Sequence, residues 1–87
     1  MSAPEGDGRS PLRAVVEVVV KALVDRPDDV QVTESQRRGM TMLELTTAPG
    51  DMGKVIGRQG RTVSALRTLV SLTAEKNGGR AQLDLRD

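Results

Sequence analysis

The sequence has no Phe, Tyr or Trp, no Cys and no His. Each absence closes off a class of function. Without aromatic rings the core must be assembled from Val, Leu, Ile, Met and Ala. Without cysteine there are no disulfides, thiol nucleophiles or thiolate metal sites. Without histidine the commonest general base and the commonest metal ligand are both missing, which sets aside most enzyme classes. Long hydrophobic runs are lacking too: the longest are of the kind Val18-Val19-Val20, far short of a membrane span. Met1 to Gly8 carries acids and chain breakers where a signal peptide needs a basic stretch and an apolar core. The expectation is a soluble cytoplasmic protein that is not an enzyme, needs no cofactor and does not meet a membrane.

What is present fits a single small domain. The chain has 87 residues, of which 37% are apolar, and a chain of that size buries little more than ~60% of the surface its unfolded form exposes. Its net charge of +1 conceals an uneven distribution. Residues 1–53 sum to −3 and residues 54–87 to +4. Between Lys54 and Thr73 lie Lys54, Arg58, Arg61 and Arg67, with no acidic residue. Such a stripe suits an anionic partner, although a solvated helix face would look the same.

Punctuation along the chain divides it into elements. Residues 1–10 are small, polar and rich in Gly and Pro, and read as a disordered N-terminal extension to a domain over 11–87. Ser10-Pro11 is a helix start, with Ser10 as N-cap and Pro11 at the first helical position. The spacing of Leu12, Val15, Val16, Val19 and Leu23 predicts a helix over 11–25, stopped by Pro27. On that reading Val20 and Val24 lie with Arg13 and Glu17 on the side away from the core, where they would form a contact face for self-association or a partner. Asp28-Asp29 opens a turn, and 30–34 alternates as a strand should. Arg37-Arg38-Gly39 turns a hairpin into a strand over 41–47, with Leu43 and Leu45 facing inward. Pro49-Gly50-Asp51 leads to a short helix over 52–56. A longer one follows over 61–76, with Val63, Leu66, Leu69, Val70 and Thr73 at helical spacing. Asn77-Gly78-Gly79 ends it, and Ala81, Leu83 and Leu85 alternate in a last strand. The order is α-β-β-α-α-β. It is an α+β fold with one three-stranded mixed sheet and helices on one face, the last two strands parallel through a helical crossover.

Between the two later helices stands Lys54-Val55-Ile56-Gly57-Arg58-Gln59-Gly60-Arg61-Thr62. Two glycines three apart mean little alone, and Gly50 and Gly53 form another such pair. Only Gly57 and Gly60 sit between amphipathic helices among basic residues. Glycine lets a chain turn sharply and lets a ligand approach the main chain. The following helix turns its unpaired N–H groups and partial positive charge toward the loop, where phosphates bind. Arg58 and Arg61, with Lys54 one turn earlier, can add charge-assisted contacts, and Val55 and Ile56 can line a shallow groove. The alternative is a tight helix–helix turn that needs glycine for geometry alone. A nucleotide-hydrolysing P-loop is excluded, because Gly53-Lys54 is followed by Val55 rather than a hydroxyl residue. A metal site would need carboxylates alone, and Asp28-Asp29 suits a turn better than a ligand pair.

Val55-Ile56-Gly57-Arg58-Gln59-Gly60-Arg61-Thr62-Val63 resembles the K-homology (KH) signature, Ile-Gly-x-x-Gly flanked by apolar residues. The element order resembles that of the type II, bacterial-style KH domain. The resemblance is to the family of small bacterial RNA-binding proteins made of one such domain, and it covers Leu12 to about Arg86. Lys21 to Asp28 and Leu43-Glu44-Leu45 support it, and Gly53 to Thr62 carries it. It implies a protein that clamps about four nucleotides of single-stranded RNA against the loop. The RNA-binding residues would be Lys54, Val55, Ile56, Gly57, Arg58, Gln59, Gly60, Arg61 and Thr62. It also implies an RNA chaperone or post-transcriptional regulator working with a second KH protein of the KhpB (Jag, EloR) type, or as a homodimer, in cell-wall growth and cell elongation. The polar extension is longer than the family pattern, and Gly50-Asp51-Met52 stands in place of a more acidic helix start. Without aromatic residues, binding must rest on phosphates and van der Waals contact rather than base stacking. The rival reading is a protein-interaction module of the same fold that has lost RNA binding; its loop should be poor in cations.

Overall fold

The computed structural model describes residues 10–86, so the expected extension over residues 1–9 lies outside the described residues. Helix α1 runs Pro11–Leu23. A short 3-10 turn, Pro27–Asp29, leads into β1 (Gln31–Arg37) and β2 (Met40–Thr46). Helix α2 (Met52–Ile56), a 3-10 turn at Arg58–Gly60 and helix α3 (Arg61–Lys76) then lead to β3 (Arg80–Arg86). The expected α-β-β-α-α-β order is present. The sheet order is β1-β2-β3, with β2 antiparallel to β1 and parallel to β3.

Local chemistry explains where the elements begin and end. The Ser10 hydroxyl accepts a hydrogen bond from the Arg13 N–H at 3.1 Å, as an N-cap should, and donates to the Glu34 carboxylate of β1. Helix α1 ends at Leu23, two residues sooner than expected, because Val24 is already extended. The hairpin turn is only Arg38-Gly39, both with positive φ (52° and 78°), so β1 continues to Arg37 and β2 begins at Met40. A two-residue turn of that kind matches the twist of the strands it joins. At the end of α3 the Gly78 N–H bonds to the Glu75 carbonyl and the Gly79 N–H to the Ala74 carbonyl, at 3.0 and 2.9 Å. Gly78, at φ 78°, supplies the left-handed residue that this closure requires.

The core lies between the helices and one face of the sheet. Leu43 and Leu45 are fully buried, as expected, with Val32, Leu83 and, from the helices, Val16, Val55, Leu66 and Val70. Two assignments are corrected. Val20 and Val24 are buried, at 0% and 8% exposure, so the proposed contact face on α1 does not exist. The core stripe is Leu12-Val16-Val20, an i,i+4 row, because α1 is clasped between β1 and α3. Val24 lies beyond the helix end, where the wheel no longer dictates its direction. Glu17 is buried beside that stripe and accepts a hydrogen bond from Arg13 at 3.2 Å, while Val18 and Leu23 are exposed. On α3, Leu69 points outward at 46% exposure and Thr73 is half-buried, whereas Ala74 enters the core. The row there is Val63-Leu66-Val70-Ala74.

Candidate nucleic-acid interface

The loop between α2 and α3 is held by two glycines in different conformations. Gly57 has φ 75° and ψ 175°, a combination open only to glycine, and the side chain of Thr62 occupies the space a Cβ there would need. Gly60 has φ 72° and ψ 15°, preceded by Gln59 at φ 58° and ψ 25°. Two left-handed residues in succession reverse the chain between helices. Hydrogen bonds from Gly57 N–H to the Gly53 carbonyl (2.9 Å) and from Gly60 N–H to the Gly57 carbonyl (3.1 Å) close it. Arg58 and Gln59 are left exposed at its tip.

Because the residue capping α3 is Gly60, no side-chain oxygen caps that helix. The Arg61 N–H donates to the Arg58 carbonyl, and the rest of the first turn, with the positive end of the dipole, faces the loop with no side-chain cap among the described residues. Arg58 and Arg61 flank this turn. Neither takes part in an ion pair among the described residues, and both are exposed.

The other expected site residues divide. Lys54 is committed elsewhere: its ammonium lies 3.3 Å from Asp25 and 3.9 Å from Asp51. Asp51 is buried, accepts the Arg26 N–H at 3.0 Å, and so ties the start of α2 to the α1–β1 connection. Val55 is fully buried and cannot line a groove, which corrects the expectation for it. Val55 is the buried residue of the five-residue α2, and Met52, one turn earlier, packs against the same core. Ile56, next to the loop, is partly exposed and can meet a ligand. Thr62 is half-buried against Gly57, where it serves the loop's shape.

A groove beside the loop was not foreseen. It runs along α3 past Gly60, Val63, Ser64, Arg67, Thr68, Ser71 and Leu72, with a volume of about 550 Å³. Arg67 bridges from α3 to the sheet, its Nε donating to the Leu83 carbonyl at 3.3 Å. The clue in the sequence was the helical spacing of Ser64, Arg67, Thr68 and Ser71, small or basic polar residues on one face that carries no acid. Loop and groove are continuous at Gly60, so an extended anionic strand can be gripped at one end and laid along α3.

The model of the family described as "KhpA/KhpB, KH domain" matches residues 13–85. The chain belongs to the KhpA/KhpB KH-domain family. A protein of Halalkalibacterium halodurans is 47% identical over 76 residues, covering 87% of this chain and 100% of its own length. One from Clostridium acetobutylicum is 43% identical over 74 residues, 85% of this chain and 99% of its own. A third, from Caldanaerobacter subterraneus, is 46% identical over 71 residues, 82% and 95% respectively. Each of the three is named RNA-binding protein KhpA, and none bears an enzyme's name. The fold expected from the KH resemblance is therefore that of the family as well as of the structure. No helix among the described residues is long and apolar enough to cross a membrane.

Proposed function

We propose that this chain binds single-stranded RNA at the α2–α3 loop, holding about four nucleotides along the α3 groove. The observation that carries the reading is the pair Arg58 and Arg61, neither in an ion pair among the described residues, beside a first turn of α3 that no side chain caps. Phosphates would lie against the loop backbone and these arginines. Gln59 at the tip and the hydroxyls of Ser64 and Thr68 offer polar contacts to sugars and base edges. Ile56 and Leu72, both exposed, offer apolar contact to the bases. The relatives' name, RNA-binding protein, supports the same reading. With no aromatic residue in the chain, sequence preference is modest and affinity rests on the backbone of the ligand.

The wider role follows the resemblance. The protein acts as an RNA chaperone or post-transcriptional regulator, paired with a second KH protein of the KhpB type or with its own copy. Its biological setting is cell-wall growth and cell elongation. Fluorescence anisotropy with a labelled single-stranded RNA, against a duplex of the same sequence, tests the central claim. The single strand should bind, more weakly as salt rises, and the duplex should bind less well. Absence of binding to single strands at low salt would leave the fold as a protein-interaction module.

A further inference from the structure

The hairpin end of the sheet carries a second group of cations. Arg37 ends β1, Met40 begins β2 and Arg80 begins β3, and the strand register places the three in one row across the sheet. They share the sheet face opposite the helices described, since the alternate residues Thr41, Leu43 and Leu45 of β2 are the buried ones. With Arg38 from the turn, Arg37, Met40, Met42 and Arg80 enclose a depression of about 290 Å³. All three arginines are exposed, and none makes an ion pair or side-chain hydrogen bond among the described residues. Acids on the same face lie farther along: Glu44 is four residues from Met40, about 13 Å, and is held by Arg86 at 3.1 Å. Glu75 borders the neighbouring depression with Arg80 but forms no ion pair with it.

We propose that this depression is a second RNA-backbone site, an inference that rests on the RNA-binding reading above. Three guanidiniums around a floor of two half-buried methionines match a nucleotide better than a bare anion. Guanidiniums take phosphate in bidentate fashion and stack on planar rings, and the polarisable thioethers supply apolar contact. The site stands at the opposite end of the domain from Gly57–Gly60. Helix α3, 16 residues long, separates the two by about 24 Å. A four-nucleotide ligand clamped at the loop does not need it; a longer strand, or a folded RNA with two exposed backbone segments, engages both ends.

The test compares a tetranucleotide with a single strand of about twenty nucleotides, long enough to cover both sites. The proteins are wild type, the triple variant Arg37→Gln/Arg38→Gln/Arg80→Gln, and Arg37→Gln and Arg80→Gln singly. Glutamine is tolerated at the turn, since Gln59 already holds the same backbone conformation as Arg38 (φ 58° and 52°). Tetranucleotide binding should be unchanged in every variant. For the longer strand, the triple variant should lose about tenfold or more in affinity at low salt, and its log K against log salt should be shallower by about 2. Each single variant should account for about 0.7 of that slope, and decides the matter if the triple variant does not fold. Wild-type affinity and slope for the longer strand in these variants would overturn the second site while leaving the loop reading intact. Failure of wild type to bind the tetranucleotide would instead remove the loop reading, and this inference with it. Displacement of the longer strand by polyglutamate as effectively as by unlabelled RNA would also overturn it, marking a general site for acidic polymers.

Discussion

The side chain of Thr62 fills the space into which a Cβ on Gly57 would project. The signature glycine is thus required twice, by its backbone angles and by its neighbour. Gly60 is required once: it has a left-handed φ of 72°, but nothing lies within 4 Å of a Cβ built there. Gly60→Ala should therefore cost about 1–2 kcal/mol, the price of a left-handed alanine. Gly57→Ala should cost more, since its backbone region is nearly closed to other residues and Thr62 must also move. Urea denaturation of the two variants measures the difference. Equal losses would show that Thr62 does not crowd the position.

A second prediction follows from the corrected face of α1. Val20 is fully buried and Val18, two residues earlier, is 67% exposed. Val20→Glu would place a charge among Val16, Leu12 and their neighbours with no partner, and should lower stability by several kcal/mol, much of what so small a domain possesses. Val18→Glu should stay within about 0.5 kcal/mol of wild type. Thermal melts of both variants check this. Comparable losses would mean that α1 is rotated from the position described.

The same helix shows why part of the fold escaped sequence reading. Valines at 15, 16, 18, 19, 20 and 24 surround the α1 wheel, so periodicity allows several stripes. The choice is made by β1 and α3, which close on the Leu12-Val16-Val20 row. The element order was legible because it depends on local punctuation: Ser10-Pro11, the Arg38-Gly39 turn, and Asn77-Gly78-Gly79. The loop was legible for the same reason, since glycine spacing and charge are local. Two features of the site were not. Lys54 reads as a free cation until Asp25, far along the chain, is brought to 3.3 Å from it. The α3 groove includes Arg67, whose reach to the Leu83 carbonyl of β3 is a contact between distant parts of the chain.

Lys54's partners change the expected salt dependence of RNA binding. Three phosphate contacts, from Lys54, Arg58 and Arg61, would give a slope near −2 in log K against log salt for a single strand. With Lys54 held by Asp25 and Asp51, two contacts remain for a short ligand, and the slope should be about −1.4. On that relation affinity for a tetranucleotide falls about sevenfold between ~50 and ~200 mM salt. Titrations across that range distinguish the cases. A flat response would remove Arg58 and Arg61 from phosphate binding, whereas a slope of −2 would show Lys54 leaving its carboxylates when RNA arrives.

The most direct test of the loop is Arg58→Asp together with Gln59→Asp. Both glycines stay, so the turn keeps the residues its geometry needs. Position 59 has φ 58°, a left-handed conformation that aspartate accepts better than most residues. Both side chains are exposed, and Arg58 forms no ion pair among the described residues, so stability should change by no more than about 0.5 kcal/mol. The charge at the tip, however, falls by three, and two carboxylates come to face the position where Arg61 and the first turn of α3 would hold phosphate. Tetranucleotide binding should be lost while the melting temperature stays nearly constant. A double variant that binds RNA as wild type does would reduce the loop to a turn between helices. Restoration of binding by Arg58→Lys/Gln59→Asn, which returns the positive charge and an amide, would tie the loss to charge at the tip rather than to a change in the loop's shape.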